Sequence, residues 1–180
     1  ALNSNLFWWY YSINFDLFNF KKKDKEFFFW ETMEKCAWQF EGDDEKVLEP
    51  VISFLSSQSD DTIFLFDDVM TELLYRLDTR SNFERHRALS GYDSDDIFLY
   101  SRCVALVNGR DYYYDIINNG DHDEIWNMEF ESLLYVPQEA WAKKHNADVG
   151  DYPYMSSLSY ETGSNENGWN KRKKTEHSPV

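Results

Sequence analysis

The stretch Ser59-Asp-Asp-Thr-Ile-Phe-Leu-Phe-Asp-Asp-Val-Met-Thr-Glu-Leu-Leu-Tyr-Arg-Leu77 carries the clearest structural signal in this chain of 180 residues. Its large apolar residues recur at the three- and four-residue spacing of one helical face. Ser59 can cap the first turn, and the carboxylates of Asp60 and Asp61 suit the positive end of a helix dipole. The pattern predicts a long amphipathic helix whose inner face holds Ile63, Phe66, Met70, Leu73, Leu74 and Leu77.

Similar helical patterns lie on both sides of this stretch, and only 7 Gly and 4 Pro interrupt them. The sequence therefore predicts a mainly α protein, with a single helical domain of about six helices over residues 26–155. Pro50 either kinks the second helix or sets its first turn, and Pro137 either kinks the last helix or opens a new one. Residues 79–92 are expected to be a partly irregular crossing.

The two ends differ from this domain in composition. Residues 1–25 form an aromatic N-terminal arm, and the alternating pattern over residues 11–17 predicts a short strand or hairpin there. Residues 156–180 are rich in Ser, Asn and Gly and then become basic at Lys171–Lys174. We expect a flexible C-terminal tail that is basic at its end.

The charge of the chain is strongly acidic, with 33 Asp and Glu against 18 Lys and Arg, for a formal net charge of −15 at pH 7. Binding to nucleic acid depends on neutralising phosphates, so no nucleic-acid partner is expected. The same charge favours a basic protein partner, which it would steer and complement. No apolar run is long enough to predict a membrane span.

Motifs for metal, cofactor or nucleophilic chemistry are missing from the sequence. Cys36 and Cys103 lack the spacing of a disulfide framework or a zinc site, so we expect reduced thiols and a cytoplasmic location. None of the 4 His stands in a metal-binding motif, and no Gly-rich phosphate loop is present. We therefore expect no metal, no cofactor and no enzymatic activity.

The stretch Gly91–Cys103 places three carboxylates beside an arginine and a cysteine. A calcium loop would need alternating oxygen ligands, which Ile97-Phe-Leu99 interrupts. Ser94 followed by Asp95 and Asp96 has instead the chemistry of a capped helix start. The stretch therefore predicts a helix, in which Arg102 bridges back to Asp96 and Cys103 is a core thiol.

Several of these segments also resemble the DUF4240 family, a bacterial family of unknown function, over residues 28–169. The resemblance rests on Phe29-Trp30-Glu-Thr-Met33-Glu34, on Ser94-Asp95-Asp96-Ile-Phe98-Leu-Tyr100-Ser-Arg102 with Gly109 and Tyr113, on Glu131-Ser-Leu-Leu-Tyr135-Val136 with Ala140, and on Gly168-Trp169. The chain departs from the family pattern at Ser81–Arg87, at Pro137 and in the aromatic arm. The resemblance implies a mostly helical domain and carries no catalytic role. Its structural signature residues are Trp30, Glu34, Ser94, Asp95, Asp96, Phe98, Arg102, Tyr113 and Glu131.

Two functions follow from these observations as hypotheses. The first is a non-enzymatic acidic binding protein, most specifically an immunity protein that neutralises a cognate bacterial toxin such as a basic nuclease. Its expected contact residues form three acidic surfaces: Asp43, Asp44 and Glu45; Asp60, Asp61, Asp67 and Asp68; and Asp111, Asp115, Asp123 and Glu124. The alternative is an enzyme or small-ligand module whose pocket lies around Asp96 and Arg102.

Overall fold

The computed structural model describes residues 22–170. In this part of the protein, the helix predicted from Ser59 is the central helix of the fold. Short 3-10 helices connect the longer elements at Trp38–Phe40, Asp123–Asn127, Glu131–Tyr135 and Val149–Asp151. In chain order the α-helices are α1 (Lys22–Met33), α2 (Asp44–Ser56), α3 (Asp60–Leu77), α4 (Arg80–Ser90), α5 (Asp95–Val107), α6 (Arg110–Asn119), α7 (Val136–His145) and α8 (Glu166–Asn170).

Helix α3 packs against α1, α2, α5 and α7, so the other long helices surround it. Ser59 caps it as predicted, because the Thr62 N–H donates to Ser59 Oγ at 3.2 Å. All six residues of the predicted inner face, Ile63, Phe66, Met70, Leu73, Leu74 and Leu77, are fully buried. Burial of this apolar stripe is the main stabilising contribution that the sequence pattern predicts.

The mainly α class and the single helical domain are confirmed, with no strand among residues 22–170. One detail differs from expectation. The crossing expected over residues 79–92 is helix α4, which Thr79 caps through the Asn82 N–H and whose buried His86 faces the Trp126 carbonyl at 2.8 Å. Helix α2 begins at Asp44, so Pro50 lies inside it and does not set its first turn.

Pro137 opens a new helix, which is one of the two predicted alternatives. It occupies the first turn of α7, where its missing N–H has no intrahelical partner to lose. The preceding segment is two 3-10 turns instead of one continuous helix. Their apolar side chains Ile125, Trp126 and Leu133 are nevertheless fully buried.

The predicted N-terminal strand over residues 11–17 and the basic residues Lys171–Lys174 lie outside the described residues. The structure describes the predicted C-terminal tail as far as residue 170, and this part is hydrogen-bonded to Asp78, directly after α3. Asp78, which is fully buried, accepts hydrogen bonds from the Asn165 N–H at 2.9 Å and from Trp169 Nε1 at 2.7 Å. The segment before α8 and α8 itself are therefore attached to the end of α3.

Candidate functional site

A groove of about 310 Å³ opens between the start of α1, the middle of α3 and residues 156–158. Its apolar wall comes from Leu65, Val69 and Leu158, and its charged groups are Lys25, Glu26, Asp68 and Glu72. Ser156 and Ser157 complete the lining. A concave site with an apolar wall and a few charged groups suits a side chain that has a long apolar stem and a charged head.

The helical periodicity of α3 explains why this one helix supplies apolar and charged residues to the groove. Asp68 and Glu72 are four residues apart, so they lie on the same face of the helix, about one turn from each other. Leu65 and Val69 have the same spacing and lie beside them. The α3 helix thus turns its fully buried stripe inward and this mixed stripe toward the groove.

Glu26 of α1 and Arg76 of α3 form the ion-paired end of the groove. Arg76 contacts Glu26 Oε2 at 3.3 Å and Glu72 Oε1 at 2.8 Å. Tyr114 OH and Trp30 Nε1 both donate to the other Glu26 oxygen. Burial alone would lower the pKa of Arg76, but its carboxylate partners raise the pKa overall. This network fixes Glu26 and Glu72 in place.

Two tyrosines that follow α7 in the sequence donate hydrogen bonds to Asp67 and Asp68, on the side of the groove away from Arg76. Tyr154 OH donates to Asp68 at 2.9 Å, and Tyr152 OH donates to Asp67 at 3.1 Å. The Tyr154 ring also stacks on Phe64 with centroids 4.4 Å apart. Burial, with the nearby charge of Asp68, raises the pKa of Asp67 to about 6. Asp67 is buried behind Tyr152, so its predicted role as a surface contact is wrong, whereas Asp68 lines the groove.

The groove and its supports hold four carboxylates, Glu26, Asp67, Asp68 and Glu72, against the two cations Lys25 and Arg76. Such an arrangement can accept an ammonium or guanidinium group. Within residues 22–170 no group of three or more Asp, Glu, His or Cys side chains is placed to hold a metal ion.

The predicted acidic surface at Asp43, Asp44 and Glu45 lies at the start of α2. Asp43 caps the helix and pairs with Lys46 Nζ at 2.6 Å, while Asp44 accepts a hydrogen bond from Ser132 at 3.4 Å. Glu45 is exposed to solvent.

The first turn of α3 contributes less free negative charge than the sequence suggests. Asp60 lies 3.0 Å from Lys144 and 3.0 Å from His145, and these partners lower the pKa of its carboxyl despite the opposing effect of burial. Asp61 is exposed.

The third predicted surface is largely paired within the molecule. Asp123 contacts Arg85, and Asp115 lies 3.6 Å from His122. Glu124 accepts a hydrogen bond from Tyr112 at 2.8 Å. Asp111 has a side chain that is 97% exposed and lies 3.5 Å from its neighbour Arg110.

Five of the family signature residues divide between the core and the surface of the protein. Trp30, Phe98 and Tyr113 are core residues, and Tyr113 OH donates to the Leu73 carbonyl at 2.9 Å. Glu34 is exposed. Glu131 accepts a hydrogen bond from Tyr135 at 2.7 Å.

The segment from Ser94 to Arg102 has a structural role, as the capping interpretation predicts. Ser94 accepts a hydrogen bond from the Ile97 N–H at 3.3 Å, and Asp95 and Asp96 form the exposed first turn of α5. The predicted bridge from Arg102 to Asp96 is wrong. Arg102 is fully buried and donates to the Leu74 carbonyl and to Thr162, both at 3.1 Å. The structure therefore does not bring Asp96 and Arg102 together in a pocket.

The sequence interpretation missed the supports of the groove. The spacing of four residues between Glu72 and Arg76 is a helical ion-pair signal that could have been found. No local signal connects Glu26 to Tyr114 or Asp68 to Tyr154, because these partners are 88 and 86 residues apart.

The comparison with protein families agrees with the resemblance seen in the sequence. The family model of DUF4240, described as a protein of unknown function, matches residues 25–143. This range contains the groove residues of α1 and α3, whereas Tyr152, Tyr154 and Trp169 follow it. No curated protein and no solved structure matches the chain. Because the matched range covers well over half of the sequence, the chain belongs to the DUF4240 family.

Proposed function

We propose that this protein is a non-enzymatic acidic binding protein for a basic protein partner, and most specifically an immunity protein that neutralises a cognate bacterial toxin. The observation that carries the proposal is the groove beside Asp68, whose carboxylates exceed its cations and whose other wall is apolar. A lysine or arginine of the partner would place its alkyl stem along Leu65 and Val69 and its charge near Asp68.

The charge of the whole chain supports the same kind of partner. A formal net charge of −15 attracts a basic protein over a distance of about one Debye length and raises the association rate. A basic nuclease is a suitable target, because an acidic inhibitor can cover the cationic surface that such an enzyme needs for its phosphate substrate.

The test is a pull-down from native lysate at low and high salt, with the wild-type chain as bait. We expect a basic protein to be retained at low salt and released at high salt. Asp68→Asn should reduce this retention, because it removes the groove charge while an amide oxygen can still accept the Tyr154 hydrogen bond.

Glu84→Gln is the matched control, since it removes one negative charge from an exposed position on α4, outside the three predicted acidic surfaces. Equal loss of retention in both variants would mean that only the overall charge matters and would contradict the groove as the contact site. No retention by the wild-type chain at low salt would contradict the proposed function itself.

A further inference from the structure

We infer that exposed aromatic residues between α1 and α2 form a second contact surface, on which the basic protein partner is anchored. This surface, the Trp38 patch, consists of Trp38, Phe40, Glu41, Asp44 and Glu45. Trp38 and Phe40 are 43% and 46% exposed. The inference rests on the proposed function and adds aromatic anchors, which the lining of the groove lacks.

The backbone of the patch is held by the helix that follows it. The Ala37 N–H donates to the Val47 carbonyl at 2.9 Å, and the Asp43 N–H donates to the Phe40 carbonyl at 2.9 Å. The Trp38 ring lies 6.3 Å from the ring of Phe130, centroid to centroid. Trp38 is thus supported on one side and open to solvent on the other, so little side-chain freedom remains to be lost on binding.

Large aromatic side chains of this kind are the usual anchors of protein interfaces, because they bury much area at a low entropic cost. Among the described residues, Phe29, Phe66 and Trp126 are buried in the core, and the exposed Phe27, Tyr92 and Tyr135 lie apart from one another in the sequence. Trp38 and Phe40 are both exposed and lie in the same 3-10 turn. We therefore assign them to an interface instead of to the core.

The charges around the two rings indicate which partner fits. Residues 38–45 contain four carboxylates and no Lys or Arg. Lys46 neutralises Asp43 at 2.6 Å, whereas Glu41 and Glu45 are exposed and belong to no ion pair that the described residues form. A cationic side chain of the partner can stack on the Trp38 ring and face these carboxylates. The occupant is therefore a basic protein.

The experiment compares Trp38→Ala with Tyr92→Ala in the same pull-down at low salt. Tyr92 is the matched control, because it is an aromatic residue, 60% exposed, in the loop before α5. Trp38→Ala should reduce retention of the basic protein about tenfold, the change expected for the loss of ~1.4 kcal/mol at an anchor. Tyr92→Ala should retain it fully. Phe40→Ala, with an unchanged thermal unfolding midpoint, provides a second variant in case Trp38→Ala fails to fold.

The possible outcomes separate this inference from the proposed function. Full retention by Trp38→Ala and Phe40→Ala, with loss in Asp68→Asn, would overturn the Trp38 patch and leave the proposed function standing. No retention by the wild-type chain would overturn both. A wild-type dimer in light scattering that Trp38→Ala converts to a monomer would assign the patch to a second copy of this chain and overturn the inference.

Discussion

Asp67 couples the stability of the protein to pH, because its carboxyl is buried beside Asp68 and behind Tyr152. Its pKa is about 6 in the folded protein and about 4 when the chain is unfolded. The folded state therefore binds the proton more tightly, and the stability that the protonated form contributes is lost as the pH rises from about 4 to 6. We predict that Asp67→Asn raises the free energy of unfolding at pH 7 by about 1–3 kcal/mol.

Urea unfolding of the variant and the wild-type chain at several pH values measures this effect. The difference should shrink as the pH falls toward 4 and approach zero below it, where Asp67 is protonated in both states. Asp61→Asn, at an exposed position on the same helix, should not raise the free energy of unfolding at pH 7. A difference that stays constant between pH 4 and pH 7 would contradict the assignment to Asp67.

Arg102 shows what sequence patterns cannot predict at the level of one residue. Its position after the core residue Phe98 on α5 is compatible with either an exposed or a buried side chain. In the structure Arg102 is completely buried and donates hydrogen bonds to Thr162 and to the Leu74 carbonyl. Its guanidinium carbon lies 4.7 Å from the centroid of the Phe98 ring. Burial lowers the pKa of Arg102 to about 10, against the opposing charge of Asp78. Leu74 and Thr162 lie 28 and 60 residues away in the sequence, so no local spacing predicts these two hydrogen bonds.

At the level of elements, the segment before α8 depends on Asp78. This carboxylate accepts hydrogen bonds from the N–H groups of Gly163 and Asn165 and from Trp169 Nε1. Asp78→Asn removes the buried charge and turns one acceptor into a donor. We predict a loss of about 3 kcal/mol in the free energy of unfolding, the scale for removing one member of a buried charged network.

Chemical denaturation measures this loss, and limited proteolysis locates it. Cleavage between residues 158 and 170 should become faster in Asp78→Asn than in the wild-type chain. Glu161→Gln, an exposed position on the same segment, should leave both measurements unchanged. If Asp78→Asn lost stability without faster cleavage there, Asp78 would act on the helical domain and not on this segment.

The helices were predictable to the extent that their signals are local. The capped start of α3, its apolar stripe and the capped start of α5 depend on neighbours within four residues, and all three are confirmed. Helix α4 was missed because its sequence is polar, with only His86 buried. The attachment of residues 163–169 was missed because a Ser-, Gly- and Asn-rich composition is typical of loose segments, and its partner Asp78 is up to 91 residues away.

For the whole molecule, the acidic composition does not predict which carboxylates are paired within the fold. Of the three acidic surfaces, the one around Asp123 is largely paired internally, while Asp68 lines a groove. The distinction depends on where Arg85, Tyr152 and Tyr154 lie in the fold, which charge counting does not include.

The excess of negative charge should also make the folded state sensitive to salt. With 33 acidic and 18 basic residues, repulsion within the compact chain exceeds the contribution of exposed ion pairs, which are individually worth about 0–1 kcal/mol. Raising NaCl from about 0.02 M to about 0.2 M shortens the Debye length from about 20 Å to below 10 Å and screens this repulsion. We predict that the thermal unfolding midpoint rises by about 2–4 °C, the shift that ~1 kcal/mol produces in a chain of this size. Asp111→Lys, at an exposed site, makes the formal net charge of −15 less negative by two and should reduce the salt effect in calorimetry. A midpoint that falls with added salt would mean that ion pairs such as Arg76–Glu26 outweigh the repulsion.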